Sequence, residues 1–449
     1  MTPPRWRRLE PVALAGGALL RLYLALVNTQ ANDDHLSVIR IIAHEHRFPH
    51  LREAWEGFQP KLYHSVVALL WDLSPWQSAG VQVRIAQLVS CAAGIATLFI
   101  LYRALARETL APAIRFLALA LVAFNPTLIG LSVQATNDAF VILFGTLALS
   151  AGAAFLRSGS RREFFALTIA VILALLSKGN GLVIFAAAAA TLALGVLRLE
   201  AVPGVSRGRL AALTAAFTGL VVASAIVLGP YRANREDTGD PFAINGDKAP
   251  LPHFIERTYV FRPGTTSIVD TYLTFRLVDL LEHPVISNDV EGYPLHRTSL
   301  WSQLYGRAHF VHFAQHPPSW RTTHPVVLWL GRFIFLAALW PTALLLAGMA
   351  RSIVAVLTPG RSLETTLFTL AGVGYFLFII LYSLVYRDFS TMKAEFLFPA
   401  LLPYVTWFAR EAGRWESRWP RLGLVTLGSG AALLVLYLAD IAILARQLT

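Results

Sequence analysis

Charge is scarce in this sequence. Only 14% of its 449 residues are Asp, Glu, Lys or Arg, where soluble domains carry about 25%. Hydrophobic residues make up 55%, and the mean hydropathy is +0.55. That balance excludes a soluble globular chain and points to a membrane protein with many spans. Cysteine is almost absent. The single Cys91 rules out an internal disulfide, and its place in an apolar run makes it a core residue. There is no P-loop, no internal repeat and no low-complexity stretch. A usable Asn-X-Ser/Thr site is missing too, since proline follows Asn125 in "NPT". That absence and the Arg- and Ala-rich composition fit a bacterial origin.

What is present is apolar length, with cations at its breaks. The start "MTPPRWRRLEPVALAGGALLRLYLALV" is basic and then apolar, with no small-residue cleavage site, so it reads as an uncleaved first span. A span needs about 20 apolar residues. Such runs fall near 11–28, 81–101, 110–130, 138–156, 163–178, 180–197, 209–229, 324–349, 363–385, 394–409 and 422–445, about eleven in all. Asn125-Pro126 and Pro399 should perturb two of them. The apolar run 62–73 is too short and reads as an interfacial or re-entrant helix. The fold class is therefore all-α and polytopic, a single transmembrane domain over 1–449.

The net charge of +11 is a surplus that nucleic-acid binders also carry, but its placement argues otherwise. One set of gaps holds Arg5, Arg7, Arg8, Arg103, Arg107, Arg115, Arg157, Arg161, Arg162, Arg198, Arg207, Arg209, Arg351, Arg361, Arg410, Arg414, Arg418 and Arg421. The opposite gaps hold few cations. The positive-inside rule puts the first set, and the N-terminus, in the cytoplasm. Two long polar segments, 29–80 and 230–322, then lie outside, with the turns "QATND", "SKGNG" and "YRDFSTMKAEF". Every unusual polar cluster shares that outer face, where we expect the site. Nucleic acid is not an expected partner; membrane lipids are.

Asp33 and Asp34 follow the first span directly. Either acid suits a helix cap before Leu36, or a general base at the membrane surface. Next comes "HLSVIRIIAHEHRFP", amphipathic by spacing, with Leu36, Ile39 and Ala43 on one face and His35, Arg40 and His44 elsewhere. Then "REAWEGFQPKLYH" places Trp55 and Tyr63 as headgroup-layer aromatics and Gln59-Pro60-Lys61 as an extended break. Asp138 opens a span, as a cap or as a second acid. Lys178, Arg232, Arg387 and Lys393 sit at outer span ends, either snorkelling or as anion ligands. His309, His312 and His316 fall at i, i+3 and i+7, a spacing zinc sites use, although a plain polar helix face explains them better. The outer segment 230–322 is too long to be structureless in a compact protein, and short helices are expected there.

The acidic pair after the first span, the interfacial helix ending in "FP" and the "QPKLYH" stretch resemble the GT-C membrane glycosyltransferases, in particular the bacterial protein-mannosyltransferase-like and aminoarabinose-transferase-like families. Those families often read "qPPLYY" here; this chain has Lys61 and His64 instead of the second proline and second tyrosine. Asn137-Asp138, Lys178-Gly179, "GPYRANREDTGDPF" with Arg232, and "YRDFSTMKAEFLFPALLP" resemble further family stretches in order. In the last, Glu395-Phe396 replaces the family's Arg-Tyr. The resemblance covers about residues 10–410.

What it implies is an inverting glycosyltransferase using a polyprenyl-phosphate-linked sugar at the outer face of a bacterial inner membrane, with a periplasmic lipid, glycan or protein acceptor. The catalytic base would be Asp34 or Asp33. Lys178, Arg232, Arg387 and Lys393 would hold the donor phosphate. Asp138, Asn137, Lys61, Tyr63, His64 and Glu395 would support the acceptor. No cofactor is required by the sequence; a divalent cation between the two Asp residues and the donor phosphate is compatible with it. The competing reading is a transporter or lipid-linked-sugar flippase. It expects ionisable residues inside the spans and related halves. Here the acids cluster outside the spans and the halves do not echo each other; Arg21, Asp72 and Arg84 are the main ionisable exceptions near apolar runs, and span ends account for them.

Overall fold

The computed structural model describes residues 5–29, 34–51, 53–200, 207–241, 267–284, 298–310, 325–358, 362–385 and 392–448. Over these the chain is helical. The first half runs α1 (Arg5–Val27), α2 (His35–Glu45), α3 (Leu62–Leu73), α4 (Ala79–Leu105), α5 (Pro112–Ala123), α6 (Pro126–Ser132), α7 (Asp138–Ser158), α8 (Arg161–Ser177) and α9 (Gly181–Glu200). The second half runs α10 (Arg207–Ile226), α11 (Gly229–Thr238), α12 (Ile268–Leu273), α13 (Leu277–Glu282), α14 (Leu300–His309), α15 (Pro325–Leu357), α16 (Leu363–Val385), α17 (Leu401–Arg418) and α18 (Pro420–Leu448). Two 3-10 turns, Ala394–Phe396 and Phe398–Ala400, precede α17.

Among the described residues, six helices are long and apolar enough to cross a membrane, or eight if each of two bent pairs counts as one span. This is a multi-pass membrane protein, with fewer qualifying helices than the eleven apolar runs. The runs at 163–178 and 180–197 become α8 and the apolar part of α9, each 17 residues. At 1.5 Å per residue they reach roughly 26 Å, short of a hydrocarbon core of about 30 Å. The run at 394–409 breaks at Pro399 into 3-10 turns before α17.

Both broken spans have chemical causes. Between α5 and α6 the chain bends by 49°. Pro126 cannot donate to the helix, and the Asn125 side chain caps α6 by accepting from Leu128 N at 2.9 Å. The break frees carbonyls inside an apolar bundle, where each must find a donor. Arg21 of α1 supplies one. Fully buried, it donates to Ala123 O (2.6 Å), Gly17 O (3.0 Å) and Ser132 Oγ (3.2 Å). The one arginine in the middle of the first span is thus committed to backbone repair. The second bend, 46° between α10 and α11, falls at Gly229-Pro230.

α7 lies at the centre, packed on α4, α8 and α16. Close approach is built from small residues. A Cβ on Gly145 would lie 2.5 Å from Pro399 O, so only glycine lets the 398–400 turn seat against α7.

The two ends of the bundle differ. At one end the acids and arginines pair: Arg115–Glu10 (2.7 Å), Arg410–Glu108 (2.8 Å), Arg157–Glu364 (2.7 Å) and Arg351–Glu411 (2.9 Å). Arg115, Arg157, Arg351 and Arg410 belong to the set assigned to one side from charge alternation. The opposite ends of the same helices carry the polar turns of the candidate site.

Candidate active site

The centre of the site is an ion pair. Lys178 closes α8 in extended backbone, and its Nζ donates to Asp138 Oδ1 (2.8 Å) and Oδ2 (2.7 Å). Both residues are under 9% exposed. Asp138 is the first residue of α7, where its carboxylate also faces the positive end of the helix dipole. Thr136 fixes it: its hydroxyl accepts Asp138 N–H and donates to Oδ2, each at 3.2 Å. Asn137 turns the other way, its amide donating to Ser177 O at 3.1 Å. So the two turns "QATND" and "SKGNG", 40 residues apart, are cross-linked twice. The Phe396 ring lies 5.2 Å from the Lys178 ammonium, which brings the 394–396 turn to the pair.

Residues 57–61 form the floor that joins further stretches to this centre. Gln59 Oε1 accepts Gly179 N–H at 3.5 Å, and Phe58 O accepts the Asn234 amide at 3.1 Å. Lys61 Nζ donates to Gly57 O (2.6 Å) and to Gln59 O. Burial pushes Lys61 down from the ordinary lysine value to about 8, opposed only by Glu56.

Behind the floor, α2 packs on α3 through apolar contacts that include Ile39, Ala43, Val67 and Trp71. Here one expectation is corrected. His35 belongs to the buried face of α2 with Val38, Ile39 and Ala43, not to a polar face. Its Nδ1 lies 2.9 Å from His64 Nε2, a buried imidazole pair. Tyr63 OH donates to Ala86 O (3.0 Å) and receives Ser90 Oγ (3.3 Å), and Ser90 is also within 3.3 Å of Thr136 O. Tyr63 is therefore fully buried, and not a headgroup-layer aromatic.

Asp34 is exposed at the N-terminal cap position of α2. Its carboxylate accepts the Ser37 hydroxyl at 2.6 Å and makes no capping bond to a backbone N–H. Arg232 is 81% exposed on its side chain and bonded to Glu236 on its own helix at 2.8 Å. Lys393 is half-buried just before the 394–396 turn. Asp33, Arg387, His312 and His316 lie outside the described residues.

The remaining cation at the centre was not singled out by the sequence. Arg307 of α14 is 2% exposed, with Nη1 4.0 Å from Glu395 Oε1 and Nε 3.3 Å from Gln303. α14 is itself tied to the broken span, since Thr127 Oγ1 donates to Arg307 O and the Asn125 amide to Ala308 O, both at 2.8 Å. Of the three histidines spaced at i, i+3 and i+7, only His309, at the end of α14, lies among the described residues. Both nitrogens of His309 meet hydroxyls, Tyr437 at 2.5 Å and Thr342 at 3.3 Å, and burial pushes its value down to about 4. A neutral, engaged imidazole of this kind is core.

Residues 77–228, which include both members of the ion pair, match the family model described as dolichyl-phosphate-mannose-protein mannosyltransferase. No curated protein matches the chain. Among solved structures, it is similar to the apo oligosaccharyltransferase of Archaeoglobus fulgidus (13% identity, TM-score 0.49, covering 98% of this chain and 56% of that one). It is also similar to ArnT from Cupriavidus metallidurans bound to undecaprenyl phosphate (14% identity, TM-score 0.38, 90% of this chain and 77% of that one). A third is the arabinofuranosyltransferase AftD from Mycobacteria (14% identity, TM-score 0.44, 97% of this chain and 27% of that one). The chain thus spans about half the length of the archaeal enzyme. An anchored cation beside a buried carboxylate is an arrangement that can steady a negatively charged group.

Proposed function

We propose that the protein is an inverting glycosyltransferase. It moves a sugar from a polyprenyl-phosphate donor to a periplasmic acceptor at the outer face of a bacterial inner membrane. The observation that carries this is the buried Lys178–Asp138 pair, lying within the segment that matches a lipid-phosphate mannosyltransferase family. Asp138 offsets the charge of the buried Lys178 side chain and sets its position. The donor phosphate gains negative charge as the glycosidic bond breaks, so a prepositioned ammonium stabilises the transition state more than the ground state. Lys393, Arg387 and Arg232 are assigned to the approach of the phosphate. Asp34, exposed at the N-terminal end of α2, takes the proton of the acceptor hydroxyl as it attacks. The outer segments 29–80 and 230–322 shape acceptor choice.

The test is transfer of radiolabel from a panel of polyprenyl-phosphate sugars into envelope acceptors by purified protein. Asp34→Asn should lose transfer by about 10²–10⁴-fold, the range for a general base, with an unchanged melting temperature. Wild-type protein that consumes no donor, or an Asp34→Asn variant that transfers normally, sinks this reading.

A further inference from the structure

The end of α13 carries a cluster that the transfer chemistry does not use. Asp279, Glu282 and His283 each bring one donor atom to within 4.8 Å of the other two. Helical spacing puts them together, since i, i+3 and i+4 share one face. His283 Nδ1 stands 3.6 Å from Asp279 Oδ1. That is too long for a hydrogen bond. It is close to the roughly 3.3 Å between two ligands of a tetrahedral zinc ion, each held at about 2.0–2.1 Å. The imidazole and the carboxylate are therefore spaced for an ion between them, not for a shared proton. The support beneath them is fixed. α13 has only six residues, too few to hold a helix by their own hydrogen bonds. Its fully buried Leu280 packs in one apolar cluster with Val327 and Ile334 of α15. At its start the Arg276 N–H donates to Ser302 Oγ of α14 at 2.7 Å. At its end Arg332 Nε of α15 donates to Leu281 O at 2.6 Å, and His283 N–H closes the last turn on Asp279 O at 2.9 Å. The ligating side chains stay reachable: Glu282 is exposed and the His283 side chain is 57% exposed. The neighbouring cations are engaged elsewhere. Arg276 pairs with Asp270 at 2.9 Å, and Arg332 meets backbone carbonyls and the Trp329 ring. Among the described residues the Glu282 carboxylate has no ion pair.

We propose that Asp279, Glu282 and His283 bind a divalent transition-metal ion of the zinc class, with water completing its coordination. The imidazole selects the ion. Mg2+ and Ca2+ take shells of oxygen, whereas Zn2+ accepts nitrogen and carboxylate oxygen together. Three protein ligands leave a fourth position open to water. Two carboxylates offset the two charges of the ion, and the free carbonyls at the end of α13 add the negative pole of the helix. The histidine spacing that suggested zinc lies at 309, 312 and 316; the cluster that has the geometry lies on α13 instead. Bound there, the ion ties three side chains across the end of a helix that is itself bonded to α14, the helix that carries Arg307. It stiffens the outer segment from a point outside the Lys178–Asp138 centre.

The experiment is calorimetric titration of the full-length protein in detergent, purified without a histidine tag and stripped with EDTA. The probes are Zn2+ and, separately, Mg2+. We expect wild type to bind Zn2+ more tightly than Mg2+ and to melt at a higher temperature with Zn2+ present. His283→Ala and Glu282→Gln should each bind Zn2+ at least about tenfold more weakly, a loss that even an outer-shell partner can cause. Both should melt like wild type without metal, because both side chains are exposed. Retention of wild-type Zn2+ affinity by either variant overturns the proposal, and so does wild-type protein that binds no Zn2+. Equal affinity for Mg2+ and Zn2+ overturns it as well, because the imidazole then takes no part. If either variant fails to fold, Asp279→Asn, which keeps the shape of the third ligand, replaces it under the same criterion.

Discussion

Lys61 is one of four lysines, with Lys178, Lys248 and Lys393. Its folded value near 8 lies below the ordinary 10.5. Between those two values the unfolded chain binds the proton that the folded chain has lost, so this residue makes stability rise with pH across roughly 8 to 10.5. Below that window its burial cost is fully present. Amine-selective acylation at pH 8, read by mass spectrometry, should modify Lys61 ahead of the paired Lys178. Equal labelling would contradict the burial. The ion pair makes a second prediction. Asp138→Asn strands a buried ammonium and should cost about 3–5 kcal/mol of stability, and Lys178→Met should cost a similar amount. The double variant should recover much of the loss, because no uncompensated charge remains. Chemical denaturation of the three variants measures this, and additive losses would show that the two side chains do not interact.

At the scale of elements, the seat of the 394–400 segment depends on glycine. Gly145→Val places side-chain carbons where Pro399 O now lies, and overpacking of this kind costs about 1–3 kcal/mol. We expect lower thermal stability together with weaker donor binding, since Glu395 and Phe396 ride on that segment. A fall in stability with donor affinity intact would separate the turn from the site. The broken span α5–α6 was legible in the sequence from Asn125-Pro126. Its consequence was not. Only the fold brings α14 to the break and so delivers Arg307 to Glu395.

For the whole molecule, charge asymmetry divides the bundle into two ends. The lone Cys91 is buried, so a Cys91→Ala background allows single cysteines to be placed at exposed sites of either end. Asp237→Cys in intact cells should react with a membrane-impermeant maleimide, and Arg162→Cys should react only after lysis. The reverse pattern would invert the orientation. Arg162 lies beside the ion-paired end, where Arg157 meets Glu364, and Asp237 lies on α11 with Asn234, which touches the floor of the site.

The sequence by itself determined the class: low charge, long apolar runs and the alternation of arginines establish a polytopic helical protein. Arg103, Arg157 and Arg410 needed no contacts to be read, because topology follows from composition along the chain. The polar turns could likewise be assigned to one face. Their pairing could not be read. Asp138 and Lys178 are separated by 40 residues, and nothing in their local pattern says that each neutralises the other. His35 looked polar by spacing and proved buried, because its partner His64 comes from another helix. Burial of a charge or an imidazole is decided by what faces it. That is a long-range property, supplied only when α7, α8 and the 394–396 turn meet.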